Sequence, residues 1–310
     1  VNSGCVNPDS LVGCHAGDIE SYSVFADLFD PVIEEYHRGY SKDKKHVTDM
    51  DPAKLKGDIN DKGSIVSTRI RVARNLFGFP LNPSSTKEQR LEIETLMQKV
   101  FSTLEGDLAG TYYSLATTSD EQKKQLVADH FLFKPGDRFQ AASGYHSYWP
   151  AGRGIFHNKD KTFLLWINEG DHIRIISMEK GGDVKGVFSR LSRGVAAIEA
   201  GIKKITGNAE AFLHTEHHGM ITCCPSNLGT GLRGSVHIRI PNLLKKKSLK
   251  ELDEFVRSKF GCQARGTMGE HTEVTDTVDI SNFQRIGRPE YDLVQDMINA
   301  ANELTKLEKE

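Results

Sequence analysis

A glycine-rich loop between two apolar runs constrains this chain more than any other feature. It lies in residues 219–241, GMITCCPSNLGTGLRGSVHIRIP. Residues 220–224 are short and apolar, and after Gly234 an apolar residue recurs at every second position, which is the period of a half-buried strand. The alternating residues are Val236, Ile238 and Ile240, with His237 and Arg239 between them. We therefore predict two strands joined by a loop whose glycines bring backbone N–H groups close to an anion.

The residues at the end of this loop favour phosphate as that anion. Arg233 carries a planar donor fork that pairs with phosphate oxygens. The letters GTGLRG also fit the dinucleotide-binding pattern G-x-G-x-x-G, but that pattern opens a helix, whereas these glycines lead into a β-branched alternating run. No Walker sequence and no HRD or DFG triplet occurs in the chain. The loop thus predicts a phosphate site of another type, with a ligand-free hairpin as the alternative.

Composition and charge limit the classes of partner. The 310 residues are 38% hydrophobic and 26% charged, with a net charge of −2, so nothing draws the chain as a whole to nucleic acid or to an anionic membrane. Five cysteines include an adjacent pair but no C-x-x-C, which favours a reducing compartment. Because no apolar run could span a bilayer and no signal-peptide pattern is present, we expect a cytoplasmic protein.

A basic strand is predicted over residues 64–74, SIVSTRIRVAR. Alternation places Ser67, Arg69 and Arg71 on one face. The opposite face carries Val66, Ile70 and Val72. Two guanidinium groups on one strand face repel each other unless an anion lies between them, so this strand indicates either a second part of the anion site or a solvated basic face.

Capping signals predict where several helices begin and end. Thr86, Ser119 and Ser248 are each followed three residues later by Gln or Glu, which is the capping-box pattern. Residues 183–207 form the most regular amphipathic pattern, and Gly207 is a C-terminal stop signal. Asp30 followed by Pro31 predicts an N-cap at which a helix restarts.

Two further segments bear on the prediction of strands and of a metal site. Residues 162–178, TFLLWINEGDHIRIISM, predict a hairpin with its turn at residues 168–171. The segment LHTEHHG contains His214, His217 and His218, but the spacing is not H-E-x-x-H and no further ligand follows. An exposed loop explains these histidines better than a metal does.

Five segments taken together resemble the phosphagen (ATP:guanidino) kinases. They are CPSNLGTG at 224–231, STRIR at 67–71, NEGDHIRIISM at 168–178, WPAGRGIFHN at 149–158 and RGTMGEHTE at 265–273. The resemblance runs along nearly the whole chain, and CPSNLGTG is highly specific to the family. The arginine kinases are its nearest branch, with the creatine, taurocyamine, glycocyamine and lombricine kinases as relatives.

The resemblance implies an α+β fold. Its catalytic domain would be an antiparallel β-sheet flanked by α-helices, of the glutamine synthetase-like type, at residues 64–310. Residues 1–39 would be the last part of a small N-terminal all-α domain that governs substrate specificity, and residues 40–63 a linker. The assembly would be a monomer or a homodimer.

The resemblance also implies an ATP or ADP site with five arginines on the phosphates and two histidines near the adenine. The implied nucleotide-binding residues are Ser67, Thr68, Arg69, Ile70, Arg71, His157, Arg174, Arg233, Gly234, Ser235, Val236, His237, Arg265, Gly266, Thr267, Met268 and Gly269. Magnesium would be held by phosphate oxygens and water, so no protein ligands to the metal are expected.

The reaction implied is transfer of the γ-phosphoryl group to a guanidinium nitrogen. Such transfer has a loose transition state, so the protein mainly aligns the reactants and stabilises charge. A guanidinium has a pKa above about 12, so a carboxylate has to orient it and help to remove a proton. Glu270 matches that carboxylate. Cys224 matches the reactive cysteine of the family, and we expect Ser226 and nearby guanidinium groups to lower its pKa.

One departure bears directly on turnover. Where the family has its main catalytic glutamate, this chain has Gly170, between Glu169 and Asp171. Loss of a positioned acid–base group typically costs about 10²- to 10⁴-fold in rate. Either neighbouring carboxylate could substitute in part, and a nucleotide-binding protein of low activity is the alternative function.

The substrate-specificity loop points to the acceptor. Ser10, Val12 and Tyr36 match arginine kinases, whereas Leu11 and His15 depart from them. We therefore predict L-arginine as the acceptor and ATP buffering as the role. Taurocyamine or another guanidino compound is the alternative, and transfer to arginine side chains of proteins is a weaker one, because the loop is retained.

Overall fold

Eight strands pair into one antiparallel sheet in the computed structural model, which describes residues 1–128, 131–133, 136–267 and 276–310. Ten strands lie in these ranges, and all except β6 and β7 belong to this sheet. They are β1 (Ile65–Arg74), β2 (Gly110–Ser114), β3 (Gly154–Asn158), β4 (Phe163–Ile167), β5 (Ile173–Lys180), β6 (His214–Thr215), β7 (Gly219–Met220), β8 (Leu232–Arg239), β9 (Cys262–Arg265) and β10 (Thr277–Asn282). Their order in the sheet is β2-β3-β4-β5-β1-β8-β10-β9, and β6 pairs with β7 in a separate hairpin. The basic strand β1 and the strand after the glycine-rich loop, β8, are therefore central neighbours.

Helices surround this sheet. They are α1 (Asn2–Val6), α2 (Ser21–Val24), α3 (Ala26–Tyr36), α4 (Lys87–Phe101), α5 (Asp120–Ala128), α6 (Arg138–Ala142), α7 (Val184–Thr206), α8 (Pro241–Lys246), α9 (Leu249–Phe260) and α10 (Glu290–Lys309). Capping predicts several of their starts correctly: complete capping boxes form at Thr86 and at Ser248, and α5 begins directly after Ser119. Helix α7 ends at Gly207, whose φ of 73° is the left-handed C-cap that glycine favours.

The apolar side of the sheet carries the main core. Ile70 and Val72 of β1 and Val236 of β8 are fully buried, and α7 and α10 pack over these strands. Leu191 and Ile198, on the inner side of α7, are buried in the same cluster. The α+β fold with an antiparallel sheet flanked by helices is thus confirmed, and the helices leave the polar side of the sheet available for a site.

Two strand predictions need correction. Val66 is 48% exposed instead of facing inward, because a β-bulge between Ile65 and Ser67 shifts the pairing of β1 with β8. Residues 220–224 were predicted as a strand, but only Gly219–Met220 pairs as one. Beyond it the backbone bonds to other partners: the Ile221 N–H donates to the Leu213 carbonyl.

The predicted helix restart at Pro31 is also wrong. Pro31 lies inside the continuous helix α3. Phe29 and Ile33, on either side of it, are buried in a second apolar cluster together with Tyr22 and Cys223. Tertiary packing of this helix face outweighs the local preference of Asp-Pro for a helix start. The N-terminal helices are therefore packed against the segment that contains CPSNLGTG.

None of the helices in the described ranges combines the length and the apolarity that a bilayer crossing needs.

The histidine-rich segment forms the small hairpin β6–β7, where His214 Nε2 lies 3.0 Å from a carboxylate oxygen of Glu210. Within the same ranges, no three His, Cys, Asp or Glu side chains converge as a metal site.

Gly194 tests the packing of α7 on the sheet. A Cβ at this position would overlap Cε2 of the buried ring of Phe163. Alanine improves helix propensity, but we expect Gly194→Ala to lower the free energy of unfolding by about 1–3 kcal/mol because the core is overpacked. Urea denaturation followed by circular dichroism measures the change. The double variant Gly194→Ala, Phe163→Leu should recover part of the loss, and a stabilised single variant would contradict this packing.

Candidate active site

Strand register brings the predicted arginines onto one face of the sheet. Arg71 lies directly opposite Arg233 on the neighbouring strand β8. On the other side, Arg174 of β5 pairs with Ala73, which faces the same way as Arg71 because it is two positions further along β1. Adjacent strands are about 4.8 Å apart, so the guanidinium groups share a small area. Residues scattered over more than 160 positions of sequence therefore form one cationic cluster, as the alternation in β1 and β8 predicts.

This cluster carries positive charge that the protein only partly balances. Burial lowers the pKa of Arg69 to about 10, and repulsion from Arg174 and Arg233 contributes to that shift. Burial and then the same two neighbours lower the pKa of Arg71. The Nε atoms of Arg69, Arg174 and Arg233 are buried without a hydrogen-bond partner among the described residues. An anion with several oxygens, such as a polyphosphate, would satisfy these donors.

Two carboxylates hold individual arginines in place. Glu169 lies 3.0 Å from Arg174 Nη1, and Asp279 accepts a hydrogen bond of 2.8 Å from Arg233 Nη2. Burial by itself would raise the pKa of Asp279, but a hydrogen bond from His237 and the charge of Arg233 lower it overall. No sequence motif marked Asp279, although it alternates with apolar residues in VDIS, between Val278 and Ile280.

An aromatic ring also supports the cluster. The ring of Trp166 lies 5.3 Å from Cζ of Arg69 and 5.5 Å from Cζ of Arg174, and its indole N–H donates to the Phe131 carbonyl. Such cation–π contacts favour guanidinium groups where carboxylates are few. No sequence motif marked Trp166 either, though it is the cross-strand partner of Arg174 and belongs to the predicted hairpin.

A cavity of about 540 Å³ opens beside the cluster. Its lining combines eight of the predicted nucleotide-binding residues with two others. The ten are Ser67, Arg69, Met178, Arg233, Ser235, His237, Arg265, Gly266, Thr267 and Asp279. A cavity of this size with cationic, hydroxyl and imidazole groups suits a nucleotide.

Some predicted nucleotide-binding residues do not face this cavity. The side chains of Thr68, Ile70 and Val236 are fully buried, and a Cβ at Gly234 would meet Met297 of α10, so these four positions face the helices. The side chains of Thr68, Ile70 and Val236 point away from the cavity, because alternation sends every second residue of a strand to the opposite face. His157 is on the same face as Arg71 but three strands away, where its ring stacks on Tyr113.

The turn that contains Cys224 lies between the N-terminal helices and the sheet. Cys224 Sγ is 3.0 Å from the Ser226 hydroxyl, as predicted. The direction of the predicted pKa shift is wrong: burial raises the pKa of the Cys224 thiol, and the opposing effects of Ser226 and of Arg285 are smaller. In the protein without ligands, this cysteine is therefore a thiol at neutral pH and not a thiolate.

The turn that contains Gly170 adjoins the same region. Asp171 accepts hydrogen bonds from the Asn75 side chain and from the Cys223 N–H, each through Oδ1, so its carboxylate is engaged in the scaffold. Glu169 is occupied by Arg174 and by the Gly170 N–H. A Cβ at position 170 would make only ordinary contacts, the shortest 3.6 Å to Tyr145. The site therefore has room for a side chain at position 170.

The predicted acceptor residues separate into two places. Leu11, Val12 and Tyr36 line a second cavity, of about 430 Å³, together with Glu35, Arg38 and Arg257. Ser10 accepts a hydrogen bond from the Gly13 N–H and so stabilises its own loop. His15 lies outside this lining, with its ring centroid 5.4 Å from that of Tyr145. Met268, Gly269 and Glu270, predicted in the nucleotide and acceptor sites, lie outside the described residues.

Alkylation of Cys224 tests the direction of its pKa shift. Only the thiolate reacts with iodoacetamide, so we expect the rate at Cys224 to keep increasing above the ordinary thiol pKa of about 8.5. Mass spectrometry of peptides separates this cysteine from the exposed Cys5. Ser226→Ala removes a hydrogen bond to the thiolate and should slow the reaction further at a given pH. A rate at Cys224 that is already constant from pH 7 upward would contradict the raised pKa.

Comparison with known proteins adds independent evidence. The C-terminal catalytic domain of the ATP:guanido phosphotransferases matches residues 92–310, and the N-terminal domain of the same family matches residues 1–34. Arginine kinase from Plodia interpunctella is 48% identical, and the alignment covers 100% of this chain and 85% of that protein. Arginine kinase from Anthopleura japonica is 51% identical, but this chain spans only 42% of it.

Solved structures agree with the sequence matches. A crystal structure of lombricine kinase has a TM-score of 0.89 at 43% identity, covering 96% of this chain and 80% of that one. The duplicated taurocyamine kinase from Schistosoma mansoni, with bound transition state analog components, has a TM-score of 0.88 at 41% identity, covering 100% of this chain and 42% of that one. The arginine cluster, the glycine-rich loop and these matches agree, and the chain belongs to the ATP:guanido phosphotransferase family, the phosphagen kinases.

Proposed function

We propose that this chain catalyses reversible transfer of the γ-phosphoryl group of ATP to the guanidinium group of a small acceptor, with L-arginine as that acceptor and ATP buffering as the role. The observation that carries the proposal is the convergence of Arg69, Arg71, Arg174 and Arg233 on one face, beside a cavity of nucleotide size. Burial and then mutual repulsion lower the pKa values of Arg69 and Arg71, and a polyphosphate would relieve that repulsion.

The arginines stabilise the charge of the transferring group. Glu169, Asp279 and Trp166 fix the directions of three of them before any ligand binds, so little reorganisation accompanies the reaction. ATP supplies the phosphoryl group and the ADP leaving group. Magnesium would be ligated by phosphate oxygens and water, which accords with a lining of cations and hydroxyl groups.

The second cavity supports L-arginine as the acceptor. Its lining includes Glu35 as well as Arg38 and Arg257, so it offers both signs of charge. Arginine has an ammonium and a carboxylate at the end remote from its guanidinium, whereas taurocyamine ends in a sulfonate alone. A lining of both signs is complementary to the zwitterionic end. The arginine kinases at about half identity are consistent with this assignment.

An acceptor panel tests the proposal directly. Mg-ATP is offered with L-arginine, taurocyamine, glycocyamine or lombricine, and the phosphorylated product is measured by ³¹P NMR. We expect product with L-arginine first of all. Arg71→Gln should weaken Mg-ADP binding by about tenfold or more because a charge-assisted contact to phosphate is lost. Arg193→Gln, at an exposed ion pair with Asp107, is the matched control. Absence of product from every acceptor would refute the function.

Gly170 motivates the alternative of a nucleotide-binding protein with little turnover. A Cβ at position 170 would make only ordinary contacts, 3.6 Å to Cε2 of Tyr145 and 3.8 Å to Nη2 of Arg174, so a side chain can begin there without a clash. We expect Gly170→Glu to raise kcat by about 10²-fold or more, with Mg-ADP affinity nearly unchanged, because a positioned proton acceptor is added. Initial rates and calorimetric titration with Mg-ADP separate the two effects. An equal kcat in both proteins would show that this chain does not need a carboxylate at position 170.

A further inference from the structure

We propose that Arg38 and Gln263 form a subsite for the amino-acid end of the acceptor, in which Arg38 binds the carboxylate and the side-chain oxygen of Gln263 accepts a hydrogen bond from the ammonium. The inference rests on the proposed transfer to L-arginine and deepens it, because it assigns the choice among guanidino acceptors to particular side chains. No sequence motif marked either residue as part of the acceptor site.

Both residues line the second cavity. Leu11, Tyr36 and Arg38 come from the N-terminal region of the chain. Arg257 belongs to α9, and Gln263 belongs to β9, which is the edge strand of the sheet. A ligand in this cavity therefore contacts the N-terminal region and the sheet domain together.

The cavity adjoins the turn that contains Cys224. His37, which directly follows one lining residue, has its Nε2 2.9 Å from the Pro225 carbonyl oxygen. Arg285, two positions after another lining residue, donates a hydrogen bond of 3.0 Å to the Ser226 carbonyl. An acceptor whose amino-acid end lies in the cavity can therefore extend its guanidinium towards this turn.

Arg38 presents a positive charge that has no protein partner. It makes no ion pair within the described ranges, although its Cζ lies 4.8 Å from the centroid of the Phe283 ring. The ring orients an otherwise exposed side chain. The backbone of Arg38 has a φ of 57°, a left-handed conformation that costs energy in a residue with a Cβ. Arg257 contacts the same ring, but Asp253 pairs with it, so the uncompensated cation of the cavity is Arg38.

Gln263 presents a hydrogen-bond acceptor that has no protein partner. Its side chain is nine-tenths buried, with 8% exposed, and its Nε2 donates to the Ser281 hydroxyl at 3.3 Å. Its Oε1 makes no hydrogen bond to any described residue and is open to the cavity. Buried amide groups in proteins normally have all of their hydrogen bonds made. A donor on a ligand would complete those of Gln263.

These two groups match the two charges of an α-amino acid. A carboxylate pairs with a guanidinium through two parallel hydrogen bonds, which suits Arg38. An ammonium has three donors and no acceptor, so it needs oxygen atoms such as Oε1 of Gln263. Glu35 is a second oxygen-bearing residue of the lining, but its side chain is exposed and makes no contact that fixes it among the described residues. Gln263 is fixed by Ser281 before the ligand binds, which lowers the entropy cost of recognition.

The subsite is also connected to the arginine cluster. The Ser281 hydroxyl that accepts from Gln263 accepts from Nη2 of Arg233 too, at 3.4 Å. Arg265, two positions after Gln263 on the same face of β9, lines the nucleotide cavity. The two cavities therefore meet along this strand. A substitution at Gln263 has to be tested for an effect on Mg-ADP as well as on the acceptor.

Three ligands in combination with two variants test the assignment. L-Arginine has both groups, agmatine lacks the carboxylate, and δ-guanidinovaleric acid lacks the ammonium. Calorimetry at saturating Mg-ADP gives their dissociation constants without any need for turnover. We expect Arg38→Gln to weaken L-arginine binding by about tenfold or more and agmatine binding by less than about twofold. Gln263→Met should weaken L-arginine by about tenfold or more and δ-guanidinovaleric acid by less than about twofold.

The controls are matched in chemistry to each variant. Gln98→Met changes an exposed glutamine of α4, and Arg193→Gln changes an arginine in an exposed ion pair. Both should leave all three dissociation constants unchanged. Mg-ADP affinity should be the same in Arg38→Gln, in Gln263→Met and in the unchanged chain. If Gln263→Met weakens Mg-ADP as much as it weakens L-arginine, Gln263 acts through Arg233 and the inference is wrong.

Gln263→Glu provides a second variant if the methionine protein is unstable. It keeps an oxygen at the same position, and the Ser281 hydroxyl can donate to its other oxygen. L-Arginine should bind to Gln263→Glu at least as tightly as to the unchanged chain. A loss as large as that in Gln263→Met would contradict the assignment of Oε1 to the ammonium. The assignment is also wrong if Glu35→Gln, and not Gln263→Met, removes the preference for L-arginine over δ-guanidinovaleric acid.

The outcomes separate this inference from the proposed function. If the binding pattern is as expected but no acceptor is phosphorylated, the proposed transfer fails and the subsite stands. If L-arginine is phosphorylated and each variant weakens all three ligands equally, the transfer stands and the subsite is refuted. The subsite is refuted as well if L-arginine does not bind while another guanidino compound is phosphorylated.

Discussion

Repulsion among like charges on one sheet face is the constraint on which the rest of the structure depends. Arg69, Arg71, Arg174 and Arg233 lie on three adjacent strands, and burial lowers the pKa of Arg69 and of Arg71. The protein holds them there through the core on the opposite face, where the packing of α7 and α10 fixes the register of the strands. Two carboxylates and an aromatic ring balance part of the charge, and the remaining charge is complementary to a ligand with many negative oxygens.

The acceptor side is organised by contacts between distant segments. Ala16 and Tyr22, from the N-terminal region, bond to the backbone of residues 222–223, and His37 bonds to the carbonyl of Pro225. Asp171 links the same turn to the one that contains Gly170. The N-terminal region, the turn that contains Cys224 and the turn that contains Gly170 therefore form one packed unit.

Much of the fold and of the site could be predicted from residue patterns. Period-two alternation places Arg69, Arg71 and His237 on the open face, because successive residues of a strand point to opposite sides. The same rule shows why Thr68, Ile70 and Val236 do not face the cavity, although the motif that contains them is part of the site. Asp279 and Trp166 were missed because their importance comes from cross-strand neighbours that are far away in sequence. The environment of Cys224 was misjudged because burial is not visible in a motif.

The sequence by itself determined the family, the periodicity of the strands, the ends of the capped helices and the absence of a carboxylate at position 170, since each depends on residues close together in the chain. Tertiary structure alone decided which arginines share a face, the direction of the pKa shift at Cys224 and the placement of Tyr145 between His15 and position 170. These depend on register, burial and the contact of Tyr145 with both loops. Such properties arise between segments that are separated by a hundred residues or more, and local pattern carries no information about them.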